Sequence, residues 1–201
     1  MTTLTLVRHG ETDWNARRLI QGSTDIPLND TGRDQARATA ATLRARLAAE
    51  GPLVVASSDL ARAHETAQII ASDLEVPGPR TYRDLRERGY GEAEGVGVDE
   101  FRSRWGTWQH AVVPGAEAWA DVRVRAIAGL RRAIRDARSD TFPVAPSLIV
   151  VSHGALIREL IRHATGGEFP AEGERLANGS AHTFLMERER LSLIEYTGVT
   201  A

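Results

Sequence analysis

Three short apolar runs constrain this chain more than any other feature. Thr3–Val7, Leu53–Ala56 and Leu148–Val151 each read as a β-strand, and apolar residues at helical spacing separate them. Behind the capping residues Asn29, Asp30 and Thr31, the recurrence of Ala36, Ala40, Leu43 and Leu47 predicts a helix to about Ala49, stopped by Gly51-Pro52. Ser57, Ser58 and Asp59 are expected to cap the next helix, which carries Ala63, Ala67, Ile70 and Leu74 and ends before Pro77-Gly78-Pro79. A long helix is predicted over 117–138, with Val122, Ala126, Leu130 and Ile134 on its apolar face. Another spans Ala155–Ala164 with Leu156, Leu160 and Ile161. A short strand at Arg80–Tyr82 and a strand pair at 182–187 and 191–196 complete the pattern. Strands alternating with helices imply an α/β fold with a mostly parallel sheet.

Residues 1–201 read as one domain, the default for a chain of this length. Within it, 86–116 is an irregular, lid-like excursion rich in glycine, charge and tryptophan, with a short helix expected at 99–108. Trp105 and Trp108 there serve either as its core or as a cover for a pocket. The two-proline stretch 139–147 is a loop and an internal boundary, although the strand after it must join the same sheet.

Composition excludes several function classes. The formal net charge is −2, so no global positive field recruits nucleic acid. Without cysteine there is no disulfide, thiol nucleophile or Cys-based zinc site. No run of about 18 apolar residues offers a membrane span, and the N-terminus lacks the form of a signal peptide. A cytoplasmic location is expected.

The polar residues that do not suit a surface gather at strand ends. Arg8 and His9 follow the first run, Ser57, Ser58 and Arg62 the second, and Ser152, His153 and Gly154 the third. In an open parallel sheet, ligands bind outside the carboxyl ends of the strands. Two histidines and two arginines are thereby directed to one rim. Guanidinium groups match phosphate oxygens bidentately, and a neutral imidazole nitrogen can accept a phosphoryl group. Phosphoryl transfer needs mainly positioning and charge neutralisation. Helix N-termini after Gly10 and Gly154 are expected to add N–H donors. No aspartate cluster suited to magnesium is evident, so neither metal nor cofactor is expected.

At these residues the sequence resembles the histidine phosphatase superfamily, or phosphoglycerate mutase-like proteins. Leu6-Val7-Arg8-His9-Gly10-Glu11-Thr12 followed by Trp14-Asn15 resembles the block around the phosphorylated histidine. Gln21-Gly22 through Leu28, Ser57-Ser58-Asp59-Leu60-Ala61-Arg62, Leu85-Arg86-Glu87 with Glu94-Gly95, and Val151-Ser152-His153-Gly154 resemble the later blocks, in order. The resemblance implies a three-layer α/β/α sandwich. It implies that His9 takes the phosphoryl group, that Arg8, Arg62 and His153 hold its oxygens, and that Glu87 serves as acid and base. It assigns Asn15, Gln21, Gly22 and Gly154 to substrate binding. A dimer is common among such relatives, but no interface stripe is legible here.

Within that family the residues favour a phosphomonoester hydrolase acting on a small phosphorylated metabolite over a phosphoglycerate mutase. The excursion after the acid block is short, and Thr197–Ala201 is a poor closing tail. Ala155 offers no side-chain hydrogen bond where mutases place Asn. Pro114-Gly115-Ala116-Glu117 departs from the family's Gly-Gly-Glu-Ser pattern, which puts substrate contacts from that loop in doubt. A non-catalytic binding module of the same fold is the third reading, disfavoured because every core position is present. Arg17, Arg18 and Arg83 are the cations expected to meet a second acidic group on a substrate. His182, close to Asn178 and Ser180, is expected at the pocket rim. His64, His110 and His163 receive no role.

Overall fold

Strands apolar on both faces need cover on both faces. In the computed structural model, which describes residues 1–47, 51–108, 110–171, 174–188 and 190–197, they receive it. The strands are β1 (Thr2–Arg8), β2 (Leu53–Ser57), β3 (Arg80–Thr81), β4 (Ser147–Ser152), β5 (Ala181–Met186) and β6 (Leu191–Glu195), in the sheet order β3-β2-β4-β1-β5-β6. The first four run parallel. β5 lies antiparallel to β1, and β6 to β5. The helices are α1 (Asp13–Ala16), α2 (Asp30–Leu47), α3 (Ala61–Asp73), α4 (Val98–Trp105), α5 (Trp119–Thr141) and α6 (Gly154–Ala164). The fold class is the expected α/β one.

Alternate residues of each strand serve opposite layers. Leu4, Leu6, Leu148 and Val150 pack with Val122, Ala126 and Leu130 of α5 and Leu156 and Leu160 of α6. Val7, Ile149 and Val151 pack with Ala40 and Leu43 of α2 and Ala63, Ala67 and Ile70 of α3. Each valine, leucine or isoleucine among them, fully buried, contributes about 1.5–3 kcal/mol. A third, smaller core lies in the excursion, where Phe101 of α4 is buried with Ile20, Tyr90 and Val113.

Several boundaries differ from the sequence reading for local reasons. α2 begins where expected, with Asn29 Oδ1 accepting from the Gly32 amide at 2.9 Å. Its described part ends at Leu47, and Ala49 lies outside the described residues. Ser57 and Ser58 do not cap α3. Ser58 is still extended, its amide donating to the Val151 carbonyl at 3.0 Å. The free amide at Ala61 is taken instead by Asp25 Oδ1 at 2.8 Å, from a loop 36 positions away. α4 stops at Trp105, short of the predicted 108, because Gly106 takes φ +82°. α5 starts at Trp119 rather than 117, since Glu117 is engaged with Gly89 and Arg125. It also runs on to Thr141, because nothing breaks it before Pro143. The loop read at 139–147 is correspondingly shorter, and β4 behind it joins the same sheet. The turn between β5 and β6 includes Glu189, which lies outside the described residues.

Two glycines let the segment after β1 lie against the start of α2. A Cβ on Gly10 would stand 2.2 Å from the Gly32 carbonyl oxygen, and one on Gly32 would stand 2.1 Å from the Glu11 carbonyl oxygen. Both obstacles are backbone, so neither can swing aside. Gly32→Ala should therefore destabilise the protein by about 1–3 kcal/mol. Urea denaturation measures this, and an unchanged midpoint would show that the two segments separate freely.

Candidate functional site

The site follows from strand register. β1 and β4 are parallel neighbours with Arg8 opposite Ser152, so His9 and His153 leave the sheet side by side. The His9 amide donates to the Ser152 carbonyl at 3.0 Å, and the two imidazole centroids lie 5.2 Å apart in an edge-on arrangement. β2 is the other neighbour of β4 and feeds α3, which places Arg62 within its first turn. Arg8, His9, Arg62 and Glu87 line one cleft of about 1080 Å³. Asn15, Gln21, Gly22 and Gly154 line it as well. His153 is wholly buried beside His9, and neither of its ring nitrogens has a hydrogen-bond partner.

Hydrogen bonding fixes the state of His9. Nδ1 lies 2.7 Å from the Gly10 carbonyl oxygen, which can only accept, so Nδ1 carries the proton. Nε2 therefore keeps its lone pair, and Arg62 Nε donates to it at 3.2 Å. Burial first, and then the charges of Arg62 and Arg8, push the His9 pKa well below 6.5. Burial and Arg62, with His9, do the same for His153. Both rings are neutral at neutral pH.

Arg62 is almost fully buried, and none of its hydrogen-bond partners is a carboxylate. Its Nη1 donates to the Thr24 carbonyl and its Nη2 to the Gly22 carbonyl, each at 2.8 Å. Burial lowers its pKa, against the charges of Glu87, Asp25 and Glu94. Arg8 donates to the Leu176 carbonyl, while its buried Nε has no partner. Burial brings Arg8 down to about 10, opposed by Glu87 and reinforced by Arg175 and Arg62.

Glu94 fixes the loop that supplies the partners of Arg62. Its carboxylate accepts from the amides of Ser23, Thr24 and Tyr90 and from the hydroxyls of Ser23 and Thr24. Burial works against that charge, but bonds from Thr24, Ser23 and Tyr90 outweigh it and hold the carboxyl below its usual range.

Glu87 caps α6. One carboxylate oxygen accepts from Ala155 N at 3.0 Å, and the other from Leu156 N and Arg88 N, each at 3.0 Å. The helix N-terminus after Gly154 is thus present, but two of its amides face Glu87. The helix expected after Gly10 begins only at Asp13, because the Gly10 amide is held by Thr66 Oγ1 at 3.1 Å. The segment carrying Glu87 is clamped by Arg125, whose guanidinium donates to the carbonyls of Asp84, Arg86 and Glu87 and is paired with Glu117. Arg86 is fixed by a two-pronged pair with Asp59, both contacts at 2.7 Å.

Asn178, missed as a site residue in its own right, donates from Nδ2 to the His9 carbonyl at 3.0 Å and to Asn15 Oδ1 at 3.2 Å. With Oδ1 so engaged, Asn15 has its N–H₂ left for a ligand. The buried Gln21 Oε1 has no partner. His182 is not at the rim. It sits buried on β5, bonded to Ser180 and stacked on Tyr196. Of the three arginines expected to meet a second acidic group, Arg18 lines the cleft and Arg17 and Arg83 do not. His163 lines it instead, without having been expected there. Trp105 and Trp108 pack on Phe101, and Trp108 also forms cleft wall. Residues 114–117 do not line the cleft. No helix among the described residues is long and apolar enough to cross a membrane.

Residues 4–197 match the family model of the histidine phosphatase superfamily (branch 1). The chain is 33% identical over 196 residues to PhoE, an uncharacterized phosphatase of Bacillus subtilis, covering 98% of this chain and 94% of that protein. It is 33% identical over 176 residues to the 2,3-bisphosphoglycerate-dependent phosphoglycerate mutase of Brucella ovis, covering 82% of each. Among solved structures, a mycobacterial glucosyl-3-phosphoglycerate phosphatase complexed with VO3 aligns with a TM-score of 0.79 at 28% identity, over 98% of both chains.

The buried rings link stability to pH. His9 and His153 have folded pKa values well below 6.5, and burial brings His182 down to about 4. Their stabilising contribution is complete above the unfolded value and is lost as pH falls below it, when only the unfolded chain takes up protons. Each ring should cost about 1.4 kcal/mol per pH unit in that range. Glu159, raised by burial, acts in the opposite sense but is a single group. Urea denaturation at pH 7.5 and 5.5 should show the lower value less stable by several kcal/mol, and equal stabilities would contradict the neutral, buried state of these rings.

Proposed function

The chain belongs to the histidine phosphatase superfamily, and from that premise we propose that it is a phosphomonoester hydrolase working through a phosphohistidine on His9. The observation that carries this reading is the His9 imidazole, neutral and fixed in one tautomer with its Nε2 lone pair turned to Arg62. In the proposed reaction Nε2 attacks phosphorus and the bond to the alcohol oxygen breaks. The departing oxygen takes a proton from Glu87. Water then attacks phosphorus, Glu87 takes its proton, and the P–N bond returns its electron pair to Nε2. Arg8, Arg62 and His153 offer N–H donors to the phosphoryl oxygens, where charge accumulates. For Arg62 this means exchanging its bond to Nε2 for bonds to the ligand. Glu87 must exchange at least one of its backbone contacts for a proton.

Hydrolysis is preferred over return of the phosphoryl group to a substrate hydroxyl for two reasons. Ala155 lines the cleft beside Gly154 without a side-chain donor to hold such a hydroxyl. The excursion packs around Phe101 as a core of its own, with Arg102 and Thr107 of the cleft wall exposed to water. The similarity to the Brucella mutase keeps the isomerase as the competing reading. We take the protein to be cytoplasmic and to need no cofactor for this chemistry.

A phosphate-release screen on phosphorylated metabolites decides between the two, with 3-phosphoglycerate included and its 2-isomer monitored. Release of phosphate is expected, and isomerisation without release would make the protein a mutase. His9→Ala should abolish turnover, and substantial remaining activity would sink the mechanism. Glu87→Gln should slow an alkyl phosphate by at least tenfold more than an activated aryl phosphate, which needs little help from an acid. Equal slowing would remove Glu87 from the acid role.

A further inference from the structure

The cleft is much larger than the phosphoryl site requires. At about 1080 Å³ it lies just above the ~300–1,000 Å³ range that holds drug-sized ligands. Its charge is also one-sided. Eight arginines line it against three glutamates, in a chain whose net charge is −2. Only two of those arginines, Arg8 and Arg62, surround His9.

Most of the remainder form a wall beyond the phosphoryl site. α6 starts at Gly154, where a Cβ would stand 3.2 Å from Arg8 Nε, so its first residue abuts that site. Arg158 and Arg162 lie one and two turns farther on and share a face of the helix. At ~1.5 Å per residue, their backbones are roughly 6 and 12 Å along the axis from Gly154. Arg123 of α5 and Arg175 line the same cleft.

These charges are poorly neutralised. Arg158 donates only to the carbonyls of Glu174 and Ala171. Arg123 is paired with the buried Glu159 at 3.1 Å. Among the described residues, the side chains of Arg162 and Arg175 make neither a hydrogen bond nor an ion pair, although the Arg162 carbonyl accepts from Gly167 N at 2.8 Å. The crowding is felt as repulsion. After burial, the charge of Arg162 is the next largest influence lowering Arg158, and Arg175 likewise lowers Arg8. Guanidinium groups that outnumber the carboxylates among them are what an anion would relieve.

We propose that this wall is a second anion subsite, and that the substrate is a phosphomonoester whose alcohol part carries another phosphate or carboxylate at the end of a spacer on the order of 10 Å. The inference rests on the hydrolase reading, because it takes the His9 end as the phosphoryl site. It differs from the sequence expectation, which looked to Arg17, Arg18 and Arg83. A substrate whose two acidic groups are only a few bonds apart would not span from Arg8 to Arg162.

Calorimetry on the wild-type chain tests it with phosphonates, whose C–P bond resists hydrolysis. Hexane-1,6-diphosphonate should bind at least tenfold more tightly than hexylphosphonate, well beyond the twofold advantage of two equivalent ends. Ethane-1,2-diphosphonate should gain less. In the double variant Arg162→Glu, Arg175→Glu, which removes no contact that holds the fold, the long diphosphonate should lose its advantage. Affinities within twofold in the wild type, an advantage that survives the double variant, or a short diphosphonate binding as tightly as the long one would each overturn the subsite. So would failure of the long diphosphonate to bind. The hydrolase reading is judged separately by phosphate release. Diphosphonate preference without release would sink that reading and leave the subsite standing. Release without the preference would do the reverse.

Discussion

Everything at the site depends on a positive charge buried without a carboxylate beside it. Arg62 is held by two carbonyl oxygens and one imidazole nitrogen, and Arg8 by a carbonyl. Removing such a charge from water costs several kcal/mol, and dipoles repay only part of it. That unrelieved charge has two consequences. It adds to burial, the larger cause, in keeping His9 and His153 neutral. It also makes an arriving phosphate dianion the partner the pocket lacks. In the proposed reaction, nucleophile and oxyanion stabilisation therefore come from one electrostatic arrangement.

An arrangement under this much repulsion needs support from outside. Glu94 supplies it for Arg62, since four bonds from Ser23 and Thr24 to its carboxylate, with a fifth from Tyr90 N, hold the 22–24 loop in the conformation that presents its carbonyls. Gly22 takes φ +55° in that loop, and a Cβ there would strike Glu94, so glycine is required twice over. Arg125 does the corresponding work for Glu87, gathering three successive-loop carbonyls on one guanidinium. Neither Glu94 nor Arg125 lines the cleft. Both act by fixing backbone, and that separates stability of the site from contact with substrate.

The strand ends explain why much of the site could be read from sequence. In a parallel sheet, whatever follows an apolar run must emerge at one rim, so Arg8-His9, Arg62 and Ser152-His153 converge whatever the details of the turns. Glu87 comes six residues beyond the two-residue strand β3, behind a tight turn at Arg83–Leu85. It was legible only through its resemblance to a family block, and its capping of α6 was not legible at all. The caps that failed did so for the same reason as the supports that were missed. Asp25 on α3, Asn178 on the His9 carbonyl, Thr66 on Gly10 and Arg125 on the Glu87 loop join residues far apart in sequence, and a hydrogen bond across such a distance leaves no local pattern. Helix ends moved for equally specific reasons, such as the positive φ of Gly106 or the reach of α5 to the residues before Pro143.

The two duties of Glu87 are coupled. As a carboxylate it suits the N-terminus of α6, where two amides and the positive end of the helix dipole favour negative charge. As an acid in the proposed reaction it must carry a proton, and a protonated carboxyl is a weaker partner for those amides. The entry of a dianionic phosphate supplies the compensation, because the helix end and the nearby guanidinium groups then have another negative charge to face. A substrate therefore does more than occupy the cleft. In the proposed reaction it takes over part of the positive field at the stage when the leaving oxygen takes a proton from Glu87. Water attack reverses the exchange, because once Glu87 accepts that proton and then releases it, the carboxylate can return to its cap. On this argument the cap on α6 is the resting position of Glu87, which it leaves and regains in each turn of the proposed reaction.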